Sequence, residues 1–281
     1  MIYQLRVEGG AEEFWVFSSE NLRRLITAAI VLPFLYLYIT MLPAPFFLIL
    51  LILISVLAQI EFHAMYKAKS LISFAGIVSG IFLIAVHSLL QLPAGIQPLI
   101  FIIPFVLTTS VRLFFIKDPS FSLKDMSPAL IGFLYIPNLL LSQWHLRLEG
   151  YEWIILLYGC VWASDSLAYY AGKGIGKRRL YSTVSPNKTV EGAFGSVIGG
   201  VLSALILGSL LGIVDSYVKL IIMGAAVGAV TIVGDLVESM FKRDAGVKDS
   251  NTFIPGHGGI LDKIDGILFA GPILYLLTVI L

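Results

Sequence analysis

The chain has 281 residues, of which 58% are hydrophobic and 13% charged, with a mean hydropathy of +0.91. A soluble domain carries about 25% charged residues, so the composition excludes an ordinary soluble enzyme and puts the protein in a bilayer. The net charge of +1 points away from nucleic acid as a partner, and the single cysteine, Cys160, excludes an intrachain disulfide and a cysteine-based zinc site.

The first twenty residues contain Glu8, Glu12, Glu13 and Glu20. This is the wrong charge for a cleavable signal peptide, and the segment reads as a short cytosolic lead-in. A membrane span needs about 20 mainly apolar residues. No charge occurs from Leu25 to Ile60, room for two spans with a turn at Pro43 and Pro45. None occurs from Ser70 to Val111, with a break near Gln91 to Pro98. A fifth span is expected from Pro128 to Gln143, a sixth from Trp153 to Ala171, a seventh from Gly192 to Val214, an eighth from Val218 to Asp235 and a ninth from Ile264 to Leu281. The expected fold is therefore all-α: a polytopic integral membrane protein with about nine transmembrane helices.

The distribution of basic residues supports this count. With nine spans, only Arg147 and Lys219 of the 19 lysines and arginines fall outside one set of alternate loops, and that set belongs in the cytoplasm. The N-terminus and the loops Lys173–Glu191 and Ser239–Lys263 are thus expected on the cytoplasmic face of the cell inner membrane. Small-residue pairs four apart, Gly195 with Gly199, Gly208 with Gly212 and Gly224 with Gly228, predict close helix packing. Packing within the chain is the first reading, and a homodimer is the alternative.

Chemistry concentrates late. Lys242, Arg243, Asp244, Lys248, Asp249, His257, Asp262, Lys263 and Asp265 crowd between two apolar spans. Carboxylates hold a hard cation through oxygen, and lysine and arginine hold phosphate, so the expected ligand is a nucleotide or phospholipid with its metal. On a continuing helix Asp235, Ser239 and Lys242 share one face, with Glu238 beside them. A carboxylate at membrane depth is costly and usually functional, which also singles out Asp165 inside the sixth span, with Trp162 and Tyr169 placed to line the same cavity. Asp262 and Asp265 are three apart on the first turn of the ninth helix. Gly258 and Gly259 before them allow a tight turn and close approach of a ligand, and free backbone N–H groups there would meet phosphate oxygens. In the earlier loop, Ser185 and Pro186 read as a helix N-cap and first residue, which would set Lys188 in the first turn, where an anion would explain it. Gly172, Gly174 and Gly176 with Lys173, Lys177, Arg178 and Arg179 read as a basic, flexible loop.

The run Ser239, Lys242, Arg243, Lys248, Asp249, Pro255, Gly256, His257, Gly258, Gly259, Asp262, Asp265 resembles the signature of the phosphatidate cytidylyltransferases, or CDP-diacylglycerol synthases. Asp165, Ala168, Tyr169, Gly172, Gly176, Ser185, Pro186, Lys188, Thr189, Glu191 and Gly192 resemble the same family's upstream run. Lys263 departs from it, replacing the usual arginine and losing the bidentate fork. The resemblance implies transfer of the cytidylyl group of CTP to phosphatidic acid, giving CDP-diacylglycerol and pyrophosphate, with Mg2+ as cofactor and room for a second metal ion. Asp235, Asp262 and Asp265 would form the metal centre. Lys242 and His257 would act in catalysis. Lys188, Arg243 and Lys248 would hold phosphates, and Ser185, Ser239, Asp165, Gly258 and Gly259 would bind substrate. Residues 1–160 would form the lipid-facing body and 161–281 the catalytic region. The competing classes are a secondary transporter using Asp165 and Asp235, and a CTP-dependent enzyme acting on an isoprenoid lipid.

Overall fold

Residues 32–90, 93, 96–250 and 258–281 are described by the computed structural model of the chain, and the charge-free runs among them are helical. The helices are α1 (Leu32–Met41), α2 (Ala44–Met65), α3 (Ser70–Leu89), α4 (Ile102–Phe115, entered through a 3-10 turn at Gln97–Phe101), α5 (Ser122–Tyr135), α6 (Pro137–Glu149), α7 (Tyr151–Ile175), α8 (Val190–Leu211), α9 (Tyr217–Asp244) and α10 (Leu261–Ile280). Seven of these segments are long and apolar enough to cross a membrane: α2, α3, the 3-10 turn with α4, α7, α8, α9 and α10. The protein is an all-α polytopic membrane protein.

Of the first expected span, only Leu32–Met41 lies among the described residues. One expected span departs from a single long helix. The fifth is broken: α5 ends at Tyr135, and Pro137 opens α6, a position where its missing N–H costs nothing. The eighth is longer than expected. It does not stop at Asp235 but continues to Asp244, so the acidic residues of its last turns stay on helical register.

The C-terminal helices are packed by backbone contact. α8 lies between α7 and α9. A Cβ on Gly195 or Gly199 would strike the carbonyls of Leu167 and Ala163 on α7, and one on Gly224 or Gly228 would strike the backbone of α8. These glycines are filled by intramolecular packing. Gly212 is different: it has open space around it and a left-handed φ of 62°, and it ends α8 as its C-cap. At Gly234 a Cβ would collide with the carbonyl of Asp265, so α9 and α10 touch backbone to backbone where their carboxylates face each other. Large apolar side chains point outward along the bundle, among them Phe74, Phe105, Phe194 and Leu210, as a lipid-facing surface demands.

Candidate active site

The connection between α7 and α8 is an antiparallel hairpin, not the flexible loop and helix start that the glycines and Ser-Pro suggest. α7 runs through Gly172 and Gly174 to Ile175. Strand β1 (Arg179–Tyr181) then pairs with β2 (Ser185–Thr189), Arg179 opposite Thr189 and Tyr181 opposite Ser185. Ser185 and Pro186 are therefore strand residues, which an isolated two-stranded ribbon tolerates because every strand is an edge. The helix begins at Val190, and Thr189 is its N-cap, its Oγ1 accepting from Gly192 N–H at 3.0 Å. Glu191 ties the hairpin back to α8: its Oε2 accepts from the N–H groups of Lys177 (3.0 Å) and Arg178 (3.2 Å).

The hairpin forms one wall of a cavity of about 690 Å³. From it Arg179, Ser185 and Lys188 face inward. α7 contributes Asp165 and Tyr169, α9 contributes Asp235, Glu238 and Lys242, and α10 contributes Asp262 and Asp265, while Ala168, Ala193 and Ile232 add apolar wall. Trp162 does not line the cavity and packs near Tyr158. An apolar groove along α4, at Ile102, Ile103 and Val106, holds no titratable side chain and belongs to the lipid surface.

The charges inside the cavity are cross-linked. Lys188 pairs with Asp235. Lys242 bridges two helices, pairing with Glu238 one turn back on α9 and with Asp262 Oδ1 of α10 at 2.9 Å. Ser239 is buried, with its hydroxyl 3.5 Å from Asp235 Oδ1, so the predicted shared face of Asp235 and Ser239 is formed. The group best arranged to hold a cation is Asp235, Glu238 and Asp265, each offering a carboxylate oxygen within 4.8 Å of the others. Among the described residues no N–H or O–H group donates to the buried Glu238 Oε1, a costly state for a carboxylate oxygen unless something else satisfies it. Three hard oxygen donors suit Mg2+ or another hard divalent cation. Asp262 is engaged otherwise: its Oδ2 accepts from Gly259 N–H (2.7 Å) and from the Ser250 hydroxyl (3.0 Å).

The start of α10 differs from expectation. Three of the backbone N–H groups there are already engaged. Gly259 N–H goes to Asp262, and those of Ile260 and Leu261 go to Glu61 of α2, both at 2.9 Å. The carboxylates of the chain thus take the place of the anion. Gly258 does need its special backbone, with φ of 79°.

Of the residues singled out in the sequence, Asp165, Ser185, Lys188, Asp235, Lys242, Asp262 and Asp265 meet in the cavity, and Ser239, Gly258 and Gly259 pack behind it. Arg243 and Lys248 do not line it. Arg243 instead reaches Val184 O in the hairpin turn (3.3 Å) and Val247 O (3.2 Å), and Lys248 is exposed. His257 lies outside the described residues. Glu238 and Glu61 were assigned no role in the sequence reading. Glu238 carries the same signal that marks Asp235, a carboxylate in an apolar helix. Glu61 abuts the end of a charge-free run, and nothing near it in sequence announces partners 199 and 200 positions away.

Similar proteins give this arrangement a lineage. Residues 22–281 match the model of the cytidylyltransferase family. Proteins named phosphatidate cytidylyltransferase are similar over most of the chain. One from Synechocystis is 34% identical over 79% of this chain and 84% of its own length. One from Staphylococcus aureus is 32% identical over 83% and 90%, and one from Staphylococcus epidermidis is 35% identical over 66% and 68%. With a family match over nearly its whole length and a cavity that joins carboxylates to lysines at the membrane, the chain belongs to the cytidylyltransferase family.

Proposed function

We propose that the protein transfers the cytidylyl group of CTP to phosphatidate, giving CDP-diacylglycerol and pyrophosphate, with Mg2+ held by Asp235, Glu238 and Asp265. The observation that carries this reading is a cavity in which three convergent carboxylates meet Lys188 and Lys242 between membrane helices. The family membership and the names of the relatives agree with it.

The chemistry asks little of a base. The phosphate of phosphatidate is already ionised, so one of its oxygens can attack the α-phosphorus of CTP directly. A phosphorus–oxygen bond forms on one side, the bond to the β-phosphate breaks on the other, and pyrophosphate leaves with the electron pair. What the protein must do is bring two polyanions together and hold them in line. Lys188 enters from β2 and Lys242 from α9, each now resting on a carboxylate of the centre. An ammonium so placed serves a phosphate oxygen once its carboxylate takes another partner. Asp262 fixes Lys242 from the α10 side, and Tyr169, Ala193 and Ile232 supply the less polar wall suited to a lipid. The metal would supply charge neutralisation on the reacting phosphates and the leaving pyrophosphate.

The remaining expectations enter the proposal with their own support. Every residue lining the cavity falls between Asp165 and Asp265, which favours 161–281 as the catalytic region and 1–160 as its body. The hairpin and the start of α10 share the cavity and carry basic residues, which favours a cytoplasmic mouth open to CTP in a cell inner membrane.

The test is turnover of labelled CTP by purified protein in detergent, offered phosphatidate or an isoprenoid phosphate, with Mg2+ or with EDTA. The expected result is Mg2+-dependent CDP-diacylglycerol from phosphatidate alone. Folded protein that makes no such product overturns the proposal, and product from the isoprenoid acceptor alone moves it to another lipid.

A further inference from the structure

Glu61 is 2% exposed near the C-terminal end of α2, and no lysine or arginine pairs with it among the described residues. A buried carboxylate without a cation is costly unless hydrogen bonds satisfy it. Glu61 is satisfied by the first turn of α10. Oε1 accepts from Ile260 N–H and Oε2 from Leu261 N–H, both at 2.9 Å, and the Ser250 hydroxyl lies 3.2 Å from Oε2. These are the orphan donors of a helix start, and the positive end of the helix dipole favours the charge.

This knot reaches the acidic centre through two short paths. The Ser250 hydroxyl also lies 3.0 Å from Asp262 Oδ2. With one proton it can serve either carboxylate, and it locks the two side by side. Gly259 sits between them, where a Cβ would collide with Ser250 Oγ and Glu61 Oε2, so the second glycine of the Gly258–Gly259 pair is there to admit Glu61. The same end of α2 also grips α9. Tyr66 donates to Asp244 Oδ2 at 3.0 Å, and the Phe62 and Phe241 rings meet edge-on at 5.2 Å. α2 therefore holds the end of the helix that carries Asp235 and Glu238 and the start of the helix that carries Asp265.

We infer that Glu61 is a positioning residue for the acidic centre: the N-terminal body, through this one carboxylate, sets the spacing between the carboxylates of α9 and the carboxylate of α10. The inference rests on the proposal that these carboxylates hold a divalent cation. Its consequence is specific. Loss of the clamp loosens α10 relative to α9, so cation affinity falls before the fold does. Residues that orient metal ligands from behind typically change metal affinity or activity by about 10- to 100-fold when mutated.

The experiment uses the full-length protein in detergent and the variants Glu61→Gln, Glu61→Asp and Ser250→Ala. Glutamine keeps the volume but turns an amide N–H toward one backbone N–H. Two quantities are read against Mg2+ concentration: the rise in unfolding temperature without substrates, and CTP turnover with phosphatidate. In Glu61→Gln the Mg2+ midpoint should rise about 10-fold in both, with the KM for CTP at saturating Mg2+ unchanged. Glu61→Asp should recover part of the shift, and Ser250→Ala should show a smaller one. A lower unfolding temperature with an unmoved Mg2+ midpoint would mean a purely structural role and overturn the inference, as would a wild-type protein that does not respond to Mg2+. If Glu61→Gln does not fold, Glu61→Asp decides by the same criterion. Wild-type protein that responds to Mg2+ but does not turn over CTP would sink the proposed activity, and the midpoint shift would still decide the role of Glu61.

Discussion

Arg112 is a buried cation and Lys242 a half-buried one, each near the end of a membrane helix, and they are used in opposite ways. Arg112, at the end of α4, is 3% exposed and closed on all sides. It donates to Asp125 Oδ2 (2.8 Å) and to the carbonyls of Ile116, Asp118 and Ser120 (2.7, 2.7 and 2.8 Å), while Lys69 holds the same carboxylate at 2.7 Å. Lys242 holds Glu238 and Asp262, yet the site it belongs to stays open: it lines a cavity, and among the described residues no N–H or O–H group donates to Glu238 Oε1. A saturated node fixes a chain corner. An unsaturated node facing a cavity keeps binding capacity for something else.

Mutation should separate the two. Arg112→Ala leaves the Asp125 carboxylate with Lys69 alone and removes the bonds to three loop carbonyls. Losing hydrogen bonds made by a charged group costs about 1.5–3 kcal/mol. The expected result is a large loss of stability by denaturant titration in detergent, with normal turnover per folded molecule. Loss of turnover at unchanged stability would place Arg112 with the functional groups. Asp265→Asn should do the reverse. It removes one carboxylate from the centre and keeps the shape, so CTP turnover should fall about 100-fold or more while unfolding without Mg2+ changes little. Retained activity would take Asp265 out of the centre.

The contrast also explains what the sequence could reveal. Helical spans are legible because a charge-free run of the right length has few alternatives in a bilayer, and Asp165 stands out because it interrupts such a run, Asp235 and Asp265 because they sit at the ends of two others. Residues whose role depends on a distant partner are not legible. Glu61 looks like an ordinary charge at the end of a span, and its partners follow α9. The start of α8 fails for another reason. Ser185-Pro186 and Thr189 are both valid helix starts by local chemistry, and pairing with Arg179 and Tyr181 decides for Thr189 by making the first four residues a strand. The break at Ile136 was visible as Pro137, but the apolar composition on both sides favoured one span.

Between the closed and open nodes lies the cap of α8. Thr189 is 5% exposed, and its Oγ1 holds Gly192 N–H. Thr189→Val keeps the volume and strands that donor, so stability should fall by about 1 kcal/mol. Lys188 is the residue immediately before it, so the KM for CTP should rise with it. A drop in stability alone would assign Thr189 to the fold only.

The smallest effect belongs to the exposed node at Glu191. Its ion pair with Arg178 spans 3.5 Å, with the arginine 76% exposed, and such a pair contributes little to stability. The backbone N–H groups of Lys177 and Arg178 also end on this carboxylate, so it anchors the hairpin that carries Lys188 into the cavity. Glu191→Gln should leave stability close to that of wild type and raise the KM for CTP about 2- to 5-fold. The part of the effect due to the exposed charge pair is screened by salt, so the gap between variant and wild type should narrow at high ionic strength. A variant that loses kcat while KM holds would put the hairpin in the reacting geometry, and Glu191 would then belong with Lys242 on the open side of the comparison.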